Sequence, residues 1–297
     1  MSPSSHQESS FEFLNRIAGG YWEHPRSLMQ EWLNHIESDS DYTDLRQRFR
    51  SRDDEQFRSA FLELYLHESL LRAGYAITIH PSVDGTWDAD SAPSHRWEHD
   101  GWSVSFKLIP KKREARGRRT NSRALGVYGH TGVDWVGDPP AIRKALASKH
   151  HEYGDLDAPF IIAVGTYIHD RDRWHTTNAM YGAAAIEWNK GPDGKTVTRE
   201  IRQPDGYFGV PPDRQHRNIS GVLLINQLMP YYLQRAEVTL WRHPNPVLVL
   251  PDELGLPGHE VTLERGRLRE VLPASTAGEF FGLPDPWPPG EAWPAAD

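Results

Sequence analysis

Residues 57–81 constrain the fold more than any other stretch. FRSAFLELYLHESLLRAGYAITIHP reads as a long helix, a Gly stop and a short β-rich strand. Asp53, Asp54 and Glu55 precede it and suit the positive end of a helix dipole, while Gly74 suits a helix C-terminus. Plotted at 100° per residue, Phe57, Phe61, Leu64 and Leu71 form one stripe, and Leu62, Leu66 and Ala73 form the opposite one. A helix that is apolar on two sides has to be covered on two sides, so the spacing predicts a helix packed between layers. Farther along, APFIIAVGTY over 158–167 is a near-continuous apolar run, the pattern of a strand buried on both faces.

The remaining elements follow from shorter signals. Tyr75 to His80 predicts one strand, and Trp102 to Ile109 another, with Val104, Phe106 and Leu108 alternating after an Asp100-Gly101 turn. The Pro/Gly/Arg-rich stretch 110–123 reads as a loop, and Asp138-Pro139-Pro140 opens a helix to about Tyr153. Beyond it the pattern predicts a helix over 176–185, a hairpin of 186–188 with 197–201, and strands over 220–226 and 238–241. Upstream, Phe11 to Ile36 predicts helices broken near Gly19-Gly20 and Pro25, with no chemistry visible there.

This order defines an α/β fold, a central mixed β-sheet flanked by helices. It divides into an N-terminal helical extension over 1–52, an α/β core over 53–170, and a β-rich extension over 171–297 packed on the core, with irregular Pro/Trp-rich C-terminal additions.

Composition removes several function classes. No apolar run in the 297 residues approaches the roughly 20 that a membrane-spanning helix needs. MSPSSHQESS lacks the basic start and apolar centre of a secretory signal, and the absence of cysteine excludes disulfides and thiolate metal sites, so a cytoplasmic location is expected. A net charge of -8 opposes wholesale non-specific binding to nucleic acid. Against that balance, Lys111, Lys112, Arg113, Arg116, Arg118 and Arg119 crowd into nine residues shortly after Lys107, and their arginines suit bidentate phosphate contacts. The 15 histidines show no ligand spacing, and the chain has no His-Glu-x-x-His, no Gly-rich phosphate loop and no nucleophile elbow.

Phosphodiester hydrolysis needs carboxylates to hold Mg²⁺ and a cation near the attacking water or the scissile phosphate. On the long helix, Glu63 and His67 are four apart on one side, and Glu68 falls within an apolar stripe. Either Glu63 is solvent-exposed and Glu68 is paired or snorkels, or one of the two lines a metal site at the edge of the sheet. Near the second strand the acids are Asp88, Asp90, Glu98 and Asp100, with Lys107 sharing one strand face with Ser105 and Ser103. A carboxylate at 105 would complete an acid-x-lysine motif, and the serine there cannot act as a charged ligand.

Three segments, FRSAFLELYLHESLLRAGYAITIHP, WEHDGWSVSFKLIPKKREARGR and IRKALASKHHEYGDLDAPFIIAVGTY, together resemble the core of PD-(D/E)XK nucleases, the restriction-endonuclease-like fold. More narrowly, they are similar to a family of uncharacterised actinobacterial proteins. The resemblance implies a restriction-endonuclease-like core in which Glu63, Asp88, Asp90 and Lys107 are the catalytic candidates. Of these, Glu63, Asp88 and Asp90 would ligate Mg²⁺. Asp88 or Asp90 stands in for the motif's Pro-Asp, and Ser105-Phe106-Lys107 for its acid-x-lysine. The basic run would contact DNA or RNA.

Two readings follow: a nuclease-fold protein with an impaired catalytic motif that binds nucleic acid or a partner, or an active Mg²⁺-dependent endonuclease with an irregular site. A third places partner recognition in the aromatic tail FFGLPDPWPPGEAWP, through Phe280, Phe281, Trp287 and Trp293, unless these residues pin the tail to their own domain. Oligomeric state is left open.

Overall fold

Three helices, α1 (Ser10–Arg16), α2 (Gly20–Leu33) and α3 (Asp39–Phe49), lead into the long helix α4 (Asp54–Arg72), whose two ends are written in the local sequence. The Asp53 side chain accepts the Glu55 amide at 2.9 Å, satisfying a donor that the helix leaves open. At the other end Gly74 takes φ +85°. The Tyr75 and Gly74 amides then return to the Leu70 and Leu71 carbonyls, the paired closure of a Schellman stop. Every residue from Phe61 to Leu70 is buried, Glu63 included, whereas Leu71 of the first apolar stripe is exposed.

This computed structural model describes residues 8–36, 39–79, 95–99, 102–109, 142–144, 146–147, 158–166, 173–190 and 192–292. After α4 come β1 (Ala76–Ile79), β2 (His95–His99), β3 (Trp102–Ile109) and β4 (Phe160–Thr166), with residues 142–144 and 146–147 helical between the last two. Then follow α5 (Trp174–Tyr181), β5 (Ala184–Lys190), β6 (Thr196–Arg202), β7 (Gly221–Asn226), β8 (Glu237–Arg242), β9 (His259–Glu264), β10 (Arg267–Val271) and α6 (Ala277–Phe281).

Eight of the ten described strands form one mixed sheet in the order β1-β2-β3-β4-β7-β8-β9-β10, and β5 and β6 pair as a separate antiparallel hairpin. The first three make an antiparallel meander, and β3, β4 and β7 run parallel. Alternation along β4 and β7 divides their side chains between two cores. Ile161, Ala163, Leu223 and Ile225 face the core shared with α1, α2, α3 and α4. Phe160, Ile162, Val164, Val222 and Leu224 face the one shared with Ile142, Leu146 and α5. The result is a three-layer α/β arrangement in which β4 and β7 are covered on both faces, whereas β10 is exposed along its length. Each fully buried Leu, Ile or Phe contributes about 1.5–3 kcal/mol to holding those layers together.

Three expectations need amendment, and one strand was not expected. The boundary expected at residue 170 does not divide the sheet, because β7 pairs directly with β4. The segment HRWEH forms β2 despite lacking apolar alternation, since both of its edges pair with neighbours. Helix α2 runs through Pro25 unbroken, held by the burial of Trp22, Pro25, Leu28 and Trp32. Finally, α5 stops at Tyr181 rather than near 185 because Gly182 adopts φ +83°. A Cβ at Gly182 would lie 1.9 Å from the Gln203 carbonyl oxygen.

The tail from Thr276 is pinned to its own domain. Phe281 packs at 4.9 Å from Trp32 and 5.2 Å from Tyr65, and the Trp287 indole donates to the Pro230 carbonyl at 2.9 Å. Trp293 lies outside the described residues. Among the described residues no helix is long and apolar enough to cross a membrane.

Candidate functional site

The burial of α4 decides what its carboxylates can do. Glu63 is 6% exposed rather than solvent-facing, and its Oε2 accepts from Arg48 Nη2 of α3 at 2.6 Å. Arg48 also donates through Nε to Asp44 at 2.7 Å, one helical turn earlier. Burial pulls the Arg48 guanidinium down, but Glu63 and then Asp44 outweigh it and hold the group above its ordinary value. The pairing therefore sets a buried carboxyl group against a fixed cation. Sequence reasoning overlooked Arg48; the Asp44–Arg48 spacing of four on a helix was the available signal.

Glu68, five residues farther along, is paired, one of the alternatives the sequence left open. Its Oε1 accepts from Arg72 Nε at 2.6 Å and its Oε2 lies 2.7 Å from His35 Nδ1. Arg72 donates onward to the Phe281 carbonyl at 3.2 Å and stacks over the Phe281 ring, so this cluster ties α4 to α6. His67 is buried between the two carboxylates along the helix. Burial pushes its imidazole down to about 4, although the Glu68 charge opposes the shift. It is neutral at pH 7 and has no use there as a general acid. His243 is also held down to about 4 by burial. Its Nδ1 accepts the Asn245 amide and its Nε2 donates to the Gln215 carbonyl, a structural role that fixes one tautomer.

The remaining candidates are positioned by the sheet. Ser105 and Lys107 are registered opposite Phe160 and Ile162, the β4 residues of the second core, whereas α4 lies on the first core. Asp88 and Asp90 lie outside the described residues, as do Lys111, Lys112, Arg113, Arg116, Arg118 and Arg119. Their points of departure are nevertheless defined. Ile79 pairs with His95, and His95 with Phe106, so the connection over 80–94 leaves and returns beside the carboxyl end of β3. The basic run follows from that same end, where Ile109 is registered with Val164. The carboxyl ends of β4 and β7 complete this edge. There Thr166 Oγ1 donates to Asn226 Oδ1 at 3.2 Å, and Asn226 Nδ2 donates to Glu237 at 3.0 Å.

Glu63 does not suit Mg²⁺ in this arrangement: one oxygen is committed to a guanidinium whose charge repels a cation. Among the described residues no group of three or more His, Asp or Glu side chains is placed to hold a metal ion. Comparisons with protein-family profiles, curated proteins and solved structures give no match to this chain.

Proposed function

We propose that this chain is a nucleic-acid-binding protein of nuclease-like ancestry whose helix carboxylate has been diverted into a structural ion pair. One observation carries the reading: the segment bearing Asp88 and Asp90 and the segment bearing the basic run both depart from the carboxyl edge of β3. The parallel strands β4 and β7 end at that edge too, and such edges are where open α/β sheets bind ligands. Across 54–166 the order is helix, three-strand antiparallel meander, helical segment and parallel strand, one strand more than the helix, strand, strand, helix, strand order behind the PD-(D/E)XK resemblance. Ser105 and the Glu63–Arg48 pair count against metal-dependent hydrolysis.

The shared edge also favours a second reading, an Mg²⁺-dependent endonuclease centred on Asp88, Asp90 and Lys107. Fluorescence anisotropy with labelled single- and double-stranded DNA and RNA between 50 and 200 mM salt separates the two. In the first reading, replacing all six basic residues of 111–119 by Ala weakens duplex binding. It also flattens the log–log salt slope by up to about 5, since each neutralised phosphate contributes about 0.9. Unchanged affinity and slope would sink the proposal. Cleavage in Mg²⁺ that disappears in Lys107→Ala would replace it with the endonuclease reading.

A further inference from the structure

The helical layer holds a cavity that the sheet edge does not account for. It measures about 190 Å³, is walled by Leu14, Leu33, Phe49 and Phe57 among others, and is also lined by Arg26, Arg46 and Arg50. A shallower basin of about 590 Å³ adjoins it, lined by Tyr42, Thr43 and Gln47 together with the same Arg46 and Arg50. These two arginines therefore stand where an apolar hole meets a polar basin.

Their charges call for an explanation. Among the described side chains no carboxylate is within ion-pair range of Arg26, Arg46 or Arg50, although neighbouring Arg48 has two and Arg52 has one. Arg26 donates through Nη1 to the Leu14 and Ile17 carbonyls at 2.6 and 2.8 Å, which closes α1 and uses one of its three nitrogens. Arg46 lies in the last turn of α3 and Arg50 just past its end, where the Arg50 amide donates to the Arg46 carbonyl at 3.3 Å, so the two share a face, and like charges at that spacing are destabilising by a few tenths of a kcal/mol. An anion between them would turn that repulsion into charge-assisted, bidentate binding. The hole is smaller than the roughly 300–1,000 Å³ of a drug-sized pocket, so it suits a short apolar group.

We propose that this cavity binds a small amphiphilic carboxylate. Its alkyl or aryl end lies among Leu14, Leu33, Phe49 and Phe57, and its carboxylate is held by Arg46 and Arg50. The site belongs to α1, α2, α3 and the start of α4, and does not depend on the nucleic-acid reading.

Isothermal titration of the full chain with sodium octanoate tests it, with acetate, 1-octanol and inorganic phosphate as comparisons. The expected result is saturable one-site octanoate binding, at least tenfold tighter than any of the three comparisons. Arg46→Gln combined with Arg50→Gln should weaken octanoate at least tenfold without changing Tm, because both side chains are exposed. Met29→Trp, which fills the hole and leaves both arginines in place, should block octanoate as well. The proposal is overturned by absent or non-saturable binding, by equal affinity for octanol or phosphate, or by octanoate affinity unchanged in either variant.

Discussion

Replacing Arg48 by Met tests whether α4 is organised around an ion pair. The Glu63 side chain is 8% exposed and that of Arg48 20% exposed, and their atoms meet at 2.6 Å. Two unit charges about 4 Å apart attract by about 4 kcal/mol at an effective dielectric of 20. Removing one partner of a buried pair costs about 3–5 kcal/mol. Because a fifth of the Arg48 side chain reaches water, the lower end applies, and Arg48→Met should cost about 3 kcal/mol. Asp44 adds little, since its side chain is 57% exposed and screened. Urea unfolding followed by tryptophan fluorescence provides the readout, with Glu63→Met and the double variant completing the cycle. The double variant should recover most of the loss, because an apolar pair of similar volume avoids desolvating either charge. A loss below about 1 kcal/mol in Arg48→Met, or additive losses in the double variant, would refute the assignment of Glu63 to a structural pair.

Two further outcomes follow from buried side chains. His67 and His243 are both held at about 4, first by burial, against an ordinary 6.5. Between pH 6.5 and 4 the unfolded chain therefore binds more protons than the folded one. The stability these neutral imidazoles provide is complete above 6.5 and is lost as pH falls, by up to about 1.4 kcal/mol per unit for each. Urea midpoints of wild type and His67→Gln between pH 6.5 and 5 should diverge by about one proton's slope, and parallel curves would contradict the shift. Phe281→Ala should cost about 3–5 kcal/mol, read as a fall in Tm, because the ring is buried between Trp32 and Tyr65. An unchanged Tm would return the tail to the partner-binding reading.

The layers were legible because burial leaves a period in the sequence. The two stripes of α4 and the unbroken apolar run of β4 each report cover on both sides, and Gly74 marks the stop that turns one into the path of β1. What was not legible arises from pairing across long separations. Nothing local in HRWEH announces a strand, because β2 is stabilised by partners on both edges rather than by an apolar face. The continuation of the sheet from β4 to β7 likewise depends on Ile161 meeting Gly221, sixty residues away. For the candidate site, the sequence identifies Glu63 as unusual but not as buried against Arg48, since that contact requires α3 to lie across α4. The cavity lined by Arg26, Arg46 and Arg50 was not legible because it forms only where α1, α2, α3 and α4 meet.

The Glu63–Arg48 pair also sets a condition on any metal chemistry that recruits α4. A cation taken up by Glu63 has to compete with the guanidinium that already holds its Oε2 at 2.6 Å. A reaction confined to the carboxyl edge of the sheet meets no such competition, because it leaves α3 and α4 as they are. Chemistry at that edge and packing in the helical layer are therefore separable. Glu63→Met should change stability while leaving edge-centred cleavage unaltered. If it abolishes cleavage while the fold is retained, α4 contributes to the reaction and the ion pair is a resting arrangement of the site.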